Sequence, residues 1–201
     1  MKSKLWIAIA LILGASGALA QDIRLVATTA REALNNASLL RALDDTAVPQ
    51  DYIAAARADY RRLLTALYAQ GYYGGTISIT IDGAEAANLA PLAAPASIGE
   101  IVITVDAGML FTFGEVAIAP LPPAADIPAD LGPRETARSG VIRTVAQQSL
   151  RSWRELGYPL AQVNSQQIVA RHADQKLDVT IGLDPGPQLR FSALGVSGNR
   201  R

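Results

Sequence analysis

The chain has 201 residues with eighteen basic and eighteen acidic side chains, one histidine and no cysteine. A formal charge of zero argues against a general nucleic-acid binder, which carries a basic excess, and the absence of cysteine excludes disulfides and thiolate metal sites. The length suits one large domain or two small ones.

Lys2 and Lys4, the apolar run Leu5–Leu13 and the small-residue end Ala18-Leu19-Ala20 have the three-part layout of a secretory signal peptide, assigned to residues 1–20. The apolar run is short for a membrane span. An exported chain without disulfides depends on its hydrophobic core, which fits a bacterial periplasm.

Asp22 to Ala27 is β-compatible. Thr29 and Glu32 have capping-box spacing, predicting a helix that runs through Leu34, Ala37 and Leu40 or Leu43 and ends at Asp44-Asp45-Thr46. The adjacent carboxylates Asp44 and Asp45 read as a solvated turn, because sequence neighbours do not converge on one substrate. Pro49 opens a second helix, where its missing donor costs nothing. Its stripe is Ile53, Ala56, Tyr60, Leu63, Leu64 and Leu67. Arg57, Arg61 and Arg62 lie on other faces. With Asp51 and Asp59 on the same helix, they read as a solvated face, not an anion patch.

Gly71-Tyr72-Tyr73-Gly74-Gly75 follows the helix and precedes a strand. A phosphate loop runs in the opposite order, so that a helix N-terminus faces the anion. The tyrosines are expected to cover the helix end against the sheet. Thr76 to Ile81 alternates strictly, with three isoleucines on one face. Asp82-Gly83 turns out of it, Ala84–Ser97 is a connection, and Ile101–Val105 is the next strand.

Asp106-Ala107-Gly108 breaks that strand, and Phe111, Phe113, Val116 and Ile118 begin another. The same layout returns at Val179–Leu183, Asp184-Pro185-Gly186-Pro187, then Leu189, Phe191 and Leu194. In both copies the glycine lies five residues before a phenylalanine. The two stretches are read as seams between copies of one β-α-α-β-β unit. In the second copy, Pro120, Pro122, Pro123, Pro128 and Pro133 make any first helix short or distorted. Ile142, Val145, Ala146, Ser149, Trp153 and Leu156 share a face of the second helix, which stops at Gly157-Tyr158 in an echo of Gly71-Tyr72. Ile168–Ala170 and Leu177–Leu183 read as strands. His172 has no histidine, cysteine or carboxylate at metal spacing. The expected organisation is a signal peptide at 1–20, domain one at 22–107, domain two at 109–186, and the first strand of a third unit at 188–201, implying an N-terminal fragment of a longer protein.

The helix end Leu67-Tyr68-Ala69-Gln70-Gly71-Tyr72-Tyr73, the two seams and the opening Val196-Ser197-Gly198-Asn199-Arg200 resemble POTRA (polypeptide-transport-associated) domains over residues 22–201. Arg154–Pro159 and Asp184–Phe191 look most like the outer-membrane subunit of the translocation and assembly module (TamA) in the BamA/TamA superfamily. The resemblance implies an α+β fold of tandem β-α-α-β-β domains, each a three-stranded mixed sheet packed on two helices. It implies a non-enzymatic role in assembling outer-membrane and autotransporter proteins, with the POTRA region in the periplasm ahead of a C-terminal barrel. The implied partners are an inner-membrane-anchored assembly protein and unfolded outer-membrane clients, bound by addition of a strand to a sheet edge. No nucleic acid and no cofactor are implied, and no catalytic, cofactor-binding or metal residue is assigned. The alternatives are the periplasmic region of a two-partner-secretion transporter and a free-standing periplasmic scaffold or lipid-binding α+β protein.

Overall fold

The computed structural model describes residues 22–90, 94–123 and 125–190. The signal-peptide assignment and the third-unit strand with Phe191 lie outside the described residues. The elements run β1 (Asp22–Ala27), α1 (Arg31–Ala37), α2 (Pro49–Gln70), β2 (Thr76–Ile81), β3 (Ala84–Glu85), β4 (Glu100–Asp106), β5 (Thr112–Ala119), α3 (Ser139–Glu155), β6 (Gln162–Arg171) and β7 (Lys176–Asp184). They form an α+β molecule with two mixed sheets, ordered β1-β4-β2-β3 and β5-β7-β6.

The sheets share one plan. In unit one, β1 lies parallel to β4 and β2 antiparallel to it; in unit two, β5 lies parallel to β7 and β6 antiparallel to it. The central strands alternate as their sequences demand. Ile101, Ile103 and Val105 of β4 and Leu177, Val179, Ile181 and Leu183 of β7 are all buried. They define separate cores, one closed by Ile53, Ala56, Leu63 and Leu67 of α2 and the other by Ile142, Val145 and Trp153 of α3.

The repeated punctuation is repeated chemistry. Gly71 and Gly157 both adopt left-handed φ, at 93° and 91°. The following tyrosines return to the helix, Tyr72 N–H to Leu67 O at 3.0 Å and Tyr158 N–H to Trp153 O at 3.1 Å. These are Schellman-type ends, which left-handed glycine permits. At the two seams, Asp106 Oδ1 accepts from Gly108 N–H at 3.0 Å and Asp184 Oδ1 from Gly186 N–H at 2.9 Å. Each is an aspartate side chain imitating a backbone turn.

Several local expectations are corrected. The first helix does not start on a Thr29 cap: Ala30 occupies that position at φ 54°, with no side-chain cap. It also ends at Ala37, and Leu40–Ala42 forms a separate 3-10 turn. The cause is Asp59, fully buried on α2 instead of solvated. Its carboxylate accepts from Ser38 Oγ at 2.6 Å, Leu39 N–H at 2.7 Å and Leu40 N–H at 3.2 Å. Those backbone donors are thereby taken from any continuing helix. In unit two the position of the first helix is held, in keeping with the prolines, by a short 3-10 turn, Ala129–Leu131, which buries Leu131 in the second core. The connection after Ile81 contains the short strand β3, making the first sheet four-stranded. Asp82 and Gly83, at φ 47° and 82°, supply the two left-handed positions of its hairpin turn. Finally, β6 spans ten residues, well beyond Ile168–Ala170.

Candidate functional site

The residues singled out by the sequence do not converge on one centre. Asp44 accepts from Thr46 Oγ1 at 2.6 Å and Thr46 N–H at 3.0 Å, a local turn that holds its carboxyl below the usual range. The three α2 arginines are exposed, as a solvated face predicts, and two of them also tie the helix to neighbouring backbone. Arg57 Nη1 donates to Leu89 O at 2.8 Å and Arg62 Nε to Ala37 O at 2.6 Å. Asp51 accepts from Val48 N–H at 3.0 Å, closing the first turn of α2. Arg61 lines a shallow surface depression with Thr65 and Ala69.

The glycine–tyrosine loop forms the joint between units, where the sequence predicted a cover for one sheet. Tyr72 packs on the first core and Tyr73 on the second. Tyr73 stacks on Tyr68 with centroids 4.8 Å apart, and meets Phe111 edge-on at 5.6 Å. Phe111 in turn meets His172 edge-on at 5.4 Å. His172 stands in the β6–β7 turn as the last ring of this ladder, and among the described residues no group of metal-ligating side chains gathers.

The sheet edges are the remaining candidate surface. An exposed edge presents unpaired backbone donors and acceptors, a template for another strand. On β1, Arg41 Nη1 donates to Ile23 O at 2.8 Å and Arg31 Nη2 to Leu25 O at 3.2 Å. Alternate residues of a strand point the same way, so these are the carbonyls directed away from β4. The start of β5 is covered by residues 135–137, with Phe113 N–H bonded to Glu135 O at 3.0 Å and Ala137 N–H to Phe111 O at 2.9 Å.

The edge β6 differs. Among the described residues, no side chain or loop backbone hydrogen-bonds to its outer edge. Val163, Gln166, Ile168 and Ala170 stand opposite the buried Leu183, Ile181, Val179 and Leu177 of β7. They therefore share the core-side face. Yet Val163 is 39% exposed and Ile168 41%, because α3 does not reach over β6. The gap is a groove of about 510 Å³, lined by Ile142, Ala146 and Leu150 of α3, Val163 and Ile168 of β6, and Tyr68 of α2. Arg143 and Gln166 supply polar groups along it.

The last residue of the strand is tied to the turn and to β7. Arg171 Nη1 pairs with Asp174 at 2.8 Å and its Nε with Asp178 at 2.8 Å. The Glu115 N–H and Arg171 together hold the Asp178 carboxyl below its ordinary range. At the opposite end a bulge interrupts the register between Val163 and Ser165, the usual device for ending or redirecting strand pairing. The sequence missed this edge because Gln162, Asn164, Ser165, Gln166 and Gln167 break any apolar alternation. The remaining signal was a run of polar β-tolerant residues between a helix stop and the clean strand β7.

No family model matches the chain, and no curated protein matches it. Among solved structures it is similar to POTRA domains 3–5 of BamA from Haemophilus influenzae, at 19% identity and TM-score 0.49, over 90% of this chain and 74% of that one. It is also similar to POTRA domains 1–2 of Omp85 from Anabaena, at 11% identity and TM-score 0.43, over 84% and 96% of the two chains. A third similar structure is BamA from Haemophilus ducreyi lacking POTRA domains 1–3, at 11% identity and TM-score 0.46, over 81% of this chain and 28% of that one. Among the described residues no helix is long and apolar enough to cross a membrane.

Proposed function

We propose that this chain is the periplasmic POTRA region of an outer-membrane protein assembly factor and works as a binding module, not an enzyme. Its role is to hold an extended segment of a partner or client polypeptide by adding it as a strand to β6. The observation that carries this reading is the open ten-residue edge of β6 running beside an apolar groove. Main-chain hydrogen bonds along the edge would supply affinity, and alternate side chains entering the groove would supply selectivity. The leader-like residues 1–20 support export, and the repeated unit with its POTRA-like helix ends and seams supports the family. The branch most like TamA, with autotransporter and barrel-protein clients and an inner-membrane-anchored partner, follows from the same sequence resemblance.

The natural absence of cysteine makes the test direct. Single-cysteine variants at Ser165, Gln167 and Val169, and at Arg24 on β1, would each carry a photocrosslinker and meet a peptide from an unfolded barrel protein. Crosslinks concentrated on β6 are expected. Uniform labelling of both strands, or none, would sink the strand-addition reading.

A further inference from the structure

The strand of unit one equivalent to β6 is β2, since each lies antiparallel to the central strand and beside the helix. Its outer edge is occupied from Ile79 onward by groups of the same chain. Ile77, Ile79 and Ile81 point their backbone groups to one side, alternating with those directed at β4. Ile81 is paired with Ala84 of β3. At Ile79 no strand among the described residues pairs with that side; the partner is Glu85. Its Oε1 accepts from Ile79 N–H at 3.2 Å, and its Oε2 accepts from Ser78 Oγ at 2.8 Å. Tyr60 on α2 donates its hydroxyl to the same carboxylate and also lies 3.3 Å from Ile79 O. The carboxylate thus occupies the donor that an added strand would use, and the phenol stands against the neighbouring acceptor.

We propose that Glu85 decides which edge of the tandem takes a strand: it imitates a strand at Ile79, closing unit one and leaving β6 of unit two as the acceptor. This rests on the strand-addition reading above. The two equivalent edges otherwise offer similar backbone templates, and no side chain among the described residues plays Glu85's part on β6. The two-residue strand β3 and its Asp82-Gly83 turn aim the carboxylate. Asp82 Oδ1 accepts from Gly99 N–H at 2.9 Å and Glu100 N–H at 2.8 Å, holding the turn against the start of β4.

The test compares wild type, Glu85→Ala and Glu85→Gln in amide NMR spectra with a spin-labelled peptide of alternating valine and threonine. In wild type, broadening is expected along Ser165–Ile168 alone. Glu85→Ala should add broadening at Ile77 and Ile79 and double the bound peptide. Glu85→Gln keeps a carbonyl acceptor for Ile79 N–H and should behave as wild type. Without peptide, Glu85→Ala should speed hydrogen exchange at Ile79 about tenfold or more, the size expected for one lost charge-assisted hydrogen bond. Ile103, opposite Ile79 on β4, should remain protected, which shows that the sheet is intact. If Glu85→Ala does not fold, Tyr60→Phe, which frees the Ile79 carbonyl, takes its place with the same readout. Broadening that stays on β6 alone in the opened variant overturns the role of Glu85 and leaves strand addition standing. Broadening at Ile79 already in wild type overturns it as well. Silence at β6 in every variant overturns the function proposed for that edge; a response at β2 only on opening would still support Glu85 as the closing group.

Discussion

At the scale of single residues, a few buried polar groups do work that composition hides. Asp59 is the clearest. Its carboxylate satisfies three donors around Ser38 and is itself without exposure. Asp59→Ala would leave those donors buried and unpaired, so a loss of about 3 kcal/mol or more is expected in urea unfolding. Asp59→Asn, which keeps one acceptor, should lose less. The Tyr60–Glu85 pair gives a pH signature. Burial and the Glu85 carboxylate push the Tyr60 hydroxyl up from 10.0 to about 12. Burial alone would raise the Glu85 carboxyl, but hydrogen bonds from Tyr60, Ser78 and Ile79 N–H outweigh it and hold it below its ordinary range. A raised folded value means stability present at neutral pH and lost as pH climbs. For Tyr60 that loss runs from 10.0 to about 12. A lowered one means stability lost only as pH falls through the depressed Glu85 value. The stability difference between wild type and Tyr60→Phe should therefore be flat around neutrality and fade in alkali. Equal pH profiles for the two proteins would contradict it.

At the scale of elements, glycines test the local geometry in opposite directions. Gly71 has φ 93°, and a Cβ there would stand 2.6 Å from Thr136 Cγ2 of the other unit. Gly71→Ala therefore meets both backbone strain and a clash, and a fall in stability of about 1–3 kcal/mol is expected. Gly140 lies in the first turn of α3 with open space around it. Gly140→Ala should stabilise by about 0.5 kcal/mol through helix propensity and a less flexible unfolded chain. Thermal melts of the two variants should move in opposite senses. These elements also show what the sequence could disclose. The seams and helix ends were legible because an aspartate two residues before a glycine, or a glycine before a tyrosine, acts within its own turn. The end of α1 was not, since it depends on Asp59 twenty residues away and a helical aspartate ordinarily faces water. The strand β6 was obscure because its run of polar residues hides the alternation that places Val163 and Ile168 toward the groove. The proposed recognition through backbone groups would leave little trace in side chains, so the sequence could not point to one edge.

At the scale of the molecule, the two cores are tied by a continuous set of contacts as well as by the short seam at Asp106–Gly108. Phe111 N–H donates to Gly71 O at 2.9 Å, and the rings of Tyr68, Tyr73, Phe111 and His172 run from the helix of unit one to the hairpin turn of unit two. The groove beside β6 includes Tyr68, so its shape depends on this joint. Two variants at Tyr73 separate the contributions. The Tyr73 hydroxyl is buried with no hydrogen-bond partner among the described residues, so Tyr73→Phe keeps the ladder and removes a desolvated polar group. Its stability should be unchanged or higher by about 1 kcal/mol. Tyr73→Ala removes the ring between Tyr68 and Phe111, and each such aromatic contact contributes roughly 0.5–1.5 kcal/mol beyond its buried area. Residual dipolar couplings measured on both sheets should fit one alignment tensor in wild type and Tyr73→Phe, and two in Tyr73→Ala. The alanine variant should also bind a strand peptide more weakly at β6, although that edge is unaltered, because the wall contributed by Tyr68 would no longer stay in place. A single tensor with unchanged peptide affinity in Tyr73→Ala would show instead that the seam alone sets the arrangement and that the groove belongs to unit two by itself.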